Sequence, residues 1–156
     1  MPTRRLFVIL LGTILALATF GRTHTQLRAQ TLDAAAVDAA FKQAFLAGDL
    51  DGVFALYAAD AVETAPFGAF TGKEAIRAAT EGFITQNPHL TVSFSASTVL
   101  LDTAIHRIAL SSDPIRAAGV SRIWVIHTLV VAQGKIVSLS AIPDISDAET
   151  LRFVQR

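Results

Sequence analysis

The chain has 156 residues, of which 52% are hydrophobic and 17% charged, which suits one globular domain with a sizeable core and excludes a disordered tract. Basic and acidic side chains balance at 13 each. The absence of cysteine excludes a disulfide framework, a thiol nucleophile and thiolate metal sites.

Residues 1–29 have the shape of a signal peptide: Arg4 and Arg5 precede an apolar run over residues 6–18. That run is shorter than the roughly 20 residues a spanning helix needs, so the membrane is expected to matter only during export. The destination is periplasmic or extracellular. Small residues allow cleavage after Ala18 or after Ala29, just ahead of Gln30 and Thr31, and both sites stay open. Thr3-Arg4-Arg5-Leu6-Phe7-Val8 is similar to a twin-arginine signal, although the general secretory route fits as well. Loss of residues 1–30 removes four Arg and no acid, leaving 9 basic against 13 acidic side chains, a charge of −4. A mildly acidic domain without Lys/Arg runs argues against nucleic acid and anionic membrane surfaces as partners.

From Thr31, which can cap a helix, Val37, Phe41, Ala44 and Phe45 recur at helical spacing until Gly48 supplies a left-handed stop. Asp49 caps a second short helix with Leu50, Val53, Phe54 and Tyr57 on one face. Residues 61–66 read as a strand and 67–70 as a turn or loop. Thr71-Gly72-Lys73-Glu74 is a capping box that opens a third helix, which ends near Asn87-Pro88. The periodicity then becomes alternating over residues 91–101, 103–111, 121–132 and 135–142, separated by Asp102, Asp113-Pro114, Gly119 and Gln133-Gly134. Strands joined by such short turns are antiparallel. The expected class is α+β, a curved antiparallel sheet packed on three N-terminal helices.

Three stretches in this order carry a family resemblance: Ala47-Gly48-Asp49-Leu50-Asp51-Gly52, then residues 55–62, then Thr71-Gly72-Lys73-Glu74-Ala75-Ile76-Arg77. Together with Gly134-Lys135-Ile136-Val137 they resemble the nuclear transport factor 2-like superfamily, nearest to its SnoaL-like polyketide cyclases and ketosteroid isomerases. The resemblance covers nearly all of residues 30–156 and implies a cone-shaped domain. It leaves function open, because the fold hosts enzymes, binding modules and assembly domains.

The isomerases of this superfamily place a carboxylate base before a Pro on the first strand, and a Tyr and a protonated acid in an oxyanion hole. Aligned on the Gly-Asp-Leu-Asp-Gly run, the base position falls on Ala65 before Pro66 and the Tyr position on Phe41; counted from Gly134-Lys135, the acid position falls on Ile126. All three groups are missing, so steroid-isomerase chemistry is not expected.

Strand alternation then assigns faces. With Ile126 inward, Arg122, Trp124, Thr128 and Val130 point inward too, and Ala65 inward carries Glu63 with it. The expected pocket is walled by Phe41, Tyr57, Ala65, Phe83, Trp124 and Ile126, with Glu63 and Arg122 as polar groups and Asp144 at the rim. Glu63, the one catalytic candidate, reads more readily as a solvated strand-end carboxylate or as a partner for Arg122; buried without a partner it would have a raised pKa and could act as a base. Trp124 reads as a wall, Asp144 with Asp147 and Glu149 as acidic surface. His106 and His127 read as structural. On this parity Ile123, Val125, His127 and Leu129 form the opposite, continuously apolar face, which is expected to be covered by a second copy in a homodimer.

No metal spacing or glycine-rich phosphate loop is present, so neither metal nor cofactor is expected. Three readings follow: a pocket for a small hydrophobic molecule, an isomerase, cyclase or lyase using Glu63, and a non-catalytic dimerisation module. An enclosed Glu63 bonded to a second polar group in the cavity would favour the enzyme; a deep cavity without such a pair would favour the binder.

Overall fold

The structure is a computed structural model that describes residues 33–156. The expected signal segment with its two cleavage sites, and the Thr31 cap, lie outside the described residues. Helix α1, Ala34–Ala47, starts instead at Asp33, whose carboxylate accepts from the Ala36 amide, and it stops where Gly48 takes φ 69°. Helix α2, Leu50–Ala55, is capped by Asp49 as expected, and Phe41, Val53 and Phe54 are buried between the two helices and the sheet. Each such side chain contributes about 1.5–3 kcal/mol by leaving water.

Three local expectations are corrected. Tyr57 opens strand β1, Tyr57–Ala65, rather than closing the second helix. Residues 67–70 are not a loop, because Gly68–Thr71 forms β2 and pairs back on β1, Glu63 facing Phe70. The Thr71–Glu74 capping box does not form: pairing of Thr71 with Val62 holds it in the strand, and Gly72, at φ 89°, precedes helix α3, Lys73–Gln86, with no side-chain cap.

The expected strand over residues 91–101 is two, β3 Thr91–Phe94 and β4 Thr98–Leu100, both antiparallel to β5, Thr103–Ser111. The break at Ser95 to Ser97 lets Ser97 reach back to Asp38 of α1. Asp113–Ala117 is a short helix α4 with Pro at its first turn, then come β6, Ile123–Ala132, β7, Lys135–Pro143, and an unexpected last helix α5, Ala148–Val154. The α5 cap is Asp147, read above as acidic surface; its carboxylate accepts from Thr150, whose hydroxyl oxygen accepts from the Trp124 amide and ties α5 to β6.

The described strands make one curved, open sheet in the order β2-β1-β7-β6-β5-β3 with β4 beside β5. Its pairs are antiparallel except β1 with β7, which run parallel because the long excursion through α3 and the other strands brings the chain back beside its first strand. The α+β class and the cone shape are as expected.

The faces of β6 are the reverse of the sequence expectation. Val125 and Leu129 are buried in the core with Ile108, Leu139 and the helices, and Ile123, His127 and Val131 share their side. Arg122, Trp124, Ile126 and Thr128 therefore leave the other side. The proposed subunit face of Ile123, Val125, His127 and Leu129 is thus an interior wall. Counting back from Gly134 misplaces the parity by one residue, and a slip of one exchanges the two faces of a strand. The β6–β7 hairpin is irregular at this point, Val130 pairing with Ser138 but Val131 with Ile136.

Paired variants read this parity directly. Val125→Glu buries an unpaired charge and is expected to lose more than about 4 kcal/mol in urea unfolding, whereas Ile126→Glu loses about 1 kcal/mol. Equal losses would contradict the orientation of β6.

Candidate functional site

A cavity of about 240 Å³ opens between the sheet and the helices. Phe41 and Phe45 enter from α1, Phe54 from α2, Phe83 and Thr80 from α3, Ile115 from α4 and Phe153 from α5. The sheet contributes Tyr57, Glu63 and Ala65 from β1, Ile108 and Leu110 from β5, Ile123, Val125 and His127 from β6, and Leu139 and Ala141 from β7. Phe67 stacks on Phe83 with ring centroids 5.5 Å apart at one side of the cavity. The lining is mostly apolar, with a few polar side chains, the usual character of a small-molecule site.

Of the residues named from sequence, Phe41, Tyr57, Glu63, Ala65 and Phe83 line this cavity. Arg122, Trp124, Ile126 and Asp144 do not. Trp124 lies on the outer face between two guanidinium groups, 4.4 Å from Arg107 and 5.2 Å from Arg122. Asp144 is bonded to Ser146 and to Arg107 at 2.6 Å, and those contacts, led by the Ser146 hydroxyl, hold its carboxyl below the ordinary range. The expected Glu63–Arg122 pairing fails for the same reason of parity.

Glu63 is instead enclosed, 8% exposed, and its Oε2 accepts a hydrogen bond of 3.1 Å from the Tyr57 hydroxyl. A register shift in β1 between Tyr57 and Val62 brings these two residues, six apart in sequence, to one point of the cavity wall. Burial raises the Glu63 pKa above its ordinary value, and the Tyr57 bond offsets only part of that rise. Burial, reinforced by the Glu63 charge, raises Tyr57 well above its ordinary value and keeps its hydroxyl protonated as a donor.

A second polar cluster borders the cavity, and the sequence reading missed most of it. Asp38 of α1, 4% exposed, accepts from Ser97, pairs with Lys42 at 3.2 Å, and stands 2.7 Å from Nδ1 of His106, 2% exposed, on β5. Burial pushes the Asp38 carboxyl up, but the Ser97 and Lys42 hydrogen bonds and the His106 neighbour outweigh it and hold the group below its ordinary range. Burial lowers His106 against the pull of Asp38 and drives His127 down to about 3, with the His106 neighbour adding to that fall. A legible signal existed: Asp38 falls three residues before Phe41 and seven before Phe45, on the apolar stripe, where an unpartnered charge would be costly. Among the described residues no three His, Asp or Glu side chains gather as a metal-binding set.

Residues 37–139 match the SnoaL-like domain family, and the chain belongs to it. No curated protein matches the chain in sequence. Among solved structures, a candidate polyketide cyclase from Sinorhizobium meliloti is similar at 21% identity, with a TM-score of 0.60 over 67% of this chain and 92% of that one. A candidate ketosteroid isomerase from Kribbella flavida has 13% identity and a TM-score of 0.59 over 69% and 75%. A candidate hydroxylase from Streptomyces galilaeus has 16% identity and a TM-score of 0.57 over 77% and 95%. These likenesses establish the fold.

The buried titrating groups set the pH response of stability. His127 and His106 have folded values below their ordinary one of roughly 6.5, so the unfolded chain binds more protons below that pH and stability falls on acidification. Each group contributes up to about 1.4 kcal/mol per pH unit inside its window. Glu63 has the opposite sign: its raised value means stability is lost as pH climbs through it. Chemical unfolding between pH 4 and 8 is expected to show a shallower acid loss in His127→Phe, and a gain at neutral pH in Glu63→Gln. Profiles parallel to the wild type in both variants would contradict these environments.

Proposed function

We propose that this SnoaL-like domain is an acid–base enzyme that moves a proton on a small hydrophobic molecule held in the cavity, with Glu63 as the base. The observation that carries the reading is the Glu63–Tyr57 pair of 3.1 Å enclosed in an otherwise apolar lining. A carboxylate whose pKa is raised by such surroundings is a stronger base than an exposed one, so it can take a proton from a carbon next to a carbonyl, and the negative charge passes to the carbonyl oxygen of the resulting enolate. Tyr57 occupies Oε2 and leaves Oε1 free to receive that proton. The aromatic walls exclude water and hold a flat or polycyclic skeleton against the carboxylate. Isomerisations, aldol-type cyclisations and eliminations share this first step, and the apolar lining supports the whole class without choosing among its members. The open space of the cavity speaks against a cone filled by its own side chains.

Proton exchange tests the reading without knowledge of the natural substrate. A panel of aryl and polycyclic ketones incubated with the protein in D₂O is expected to exchange α-hydrogens, followed by proton NMR. Glu63→Gln is expected to slow that exchange about 10²–10⁴-fold and Tyr57→Phe by a smaller factor. Equal rates in wild type and Glu63→Gln would overturn the assignment.

The same proposal includes export and a homodimer. Export is supported by the signal shape of residues 1–29, and dimerisation by the outer sheet face, where Val62, Ile105 and Ile126 share one side with Ile142, 58% exposed. Native mass spectrometry of protein from the cell envelope is expected to show twice the mass of a chain starting after Ala18 or Ala29, and a monomer for Ile126→Glu. A full-length chain, or a wild-type monomer, would refute the respective part.

A further inference from the structure

The cavity has a second polar wall that proton transfer by Glu63 leaves unused. His106 on β5 and His127 on β6 oppose each other directly in the antiparallel pair, so both rings leave the same face of the sheet, with centroids 5.2 Å apart. Phe41 and Phe94 close around His106, at 6.3 and 5.2 Å between centroids. Within this cage two ring nitrogens are sealed with no hydrogen-bond partner among the described residues, His106 Nε2 and His127 Nδ1. Buried polar atoms are nearly always paired, so two orphans on adjacent rings call for an explanation.

The neighbouring charges supply one. Asp38 is ionised, and an ionised carboxylate only accepts, so the proton between it and His106 sits on His106 Nδ1. A neutral imidazole carries one proton, which makes His106 Nε2 a bare acceptor. His127 Nδ1 satisfies it if that nitrogen carries the proton and either ring turns slightly. The remaining nitrogen of His127 then holds a lone pair, and His127 is the ring of the two that lines the cavity.

We infer that Asp38 and His106 fix His127 in its Nδ1–H tautomer and that His127 Nε2 accepts a hydrogen bond from a hydroxyl of the bound molecule. The cavity thereby selects hydroxylated aromatic or polycyclic compounds over the same skeletons with the hydroxyl blocked. Burial keeps both imidazoles neutral at physiological pH, so the acceptor is not lost to protonation. Asp38 and His106 are positioning residues. The inference rests on the cavity as the ligand site and is independent of Glu63 as base.

Two measurements test it. Long-range proton–nitrogen spectra of the protein labelled with ¹⁵N-histidine are expected to show His127 protonated at Nδ1 and bare at Nε2, and a mixture of tautomers in Asp38→Asn. Titration with 2-naphthol and 2-methoxynaphthalene is expected to show about a tenfold preference for the naphthol, the size of one hydrogen bond. That preference is expected to vanish in His127→Phe and to persist in Glu63→Gln. Protonation at His127 Nε2 overturns the inference whether or not Asp38→Asn folds, and so does a tautomer unchanged in a folded Asp38→Asn. Equal binding of the two probes, a preference surviving His127→Phe, or one lost in Glu63→Gln overturns the hydroxyl contact. Binding of neither probe removes the ligand-site reading and the inference with it, while failed ketone exchange in a protein that still prefers the naphthol removes only the role of Glu63.

Discussion

The alternation of side chains along β6 is the constraint on which the rest of the domain depends. The strand lies between β5 and β7, so its inward row of Ile123, Val125, His127 and Leu129 meets inward residues of both neighbours. Leu129 pairs with Ala104 and Leu139, and Leu139 pairs with Glu63 of β1, which places a catalytic candidate in register with the core. One residue closer to the strand's start on this face, His127 pairs with His106 and Ala141. Glu63 and His127 thus leave the same face of the sheet two strands apart, about 10 Å by strand spacing, and both line one cavity. Shift the parity and the site loses its imidazole and gains Trp124 and Arg122.

Two buried acids of this domain are held by opposite means. Asp38 is surrounded by donors from Ser97, Lys42 and His106, so it stays ionised and orders the helix against the sheet. Glu63 has one donor, Tyr57, and apolar neighbours, so its charge remains unfavourable. A fold selected for stability alone would have no use for the second arrangement, and the tension it stores is what a proton-transfer step could release. On the proposed function, stability and activity pull in opposite directions at this one residue.

Much of the fold was legible because helical and alternating periods are strong in this chain. The stripe of Val37, Phe41 and Phe45, the stop at Gly48 and the cap at Asp49 all lie where the sequence puts them. The misreadings have local causes. Thr71 has the chemistry of a cap, but pairing with Val62 overrides it; Asp147 looks like surface charge, yet it caps a helix whose Phe153 lines the cavity. At the site, Glu63 and Tyr57 were each visible, but their bond was not, because it depends on a register shift inside β1. Arg122, Trp124 and Ile126 were misplaced by a single residue of parity, and Asp144 by the resemblance, which has an acid after the last strand. Asp38 and its partners span α1, β5 and the break at Ser97, a long-range meeting that no short motif announces.

The environment of Glu63 is best measured by ¹³C NMR titration of its side-chain carboxyl, assigned by its disappearance in Glu63→Gln. The midpoint is expected above the ordinary glutamate value, and higher still in Tyr57→Phe, since the Tyr57 bond lowers it. A midpoint at or below the ordinary value, unmoved by Tyr57→Phe, would contradict an enclosed carboxylate poised to take a proton.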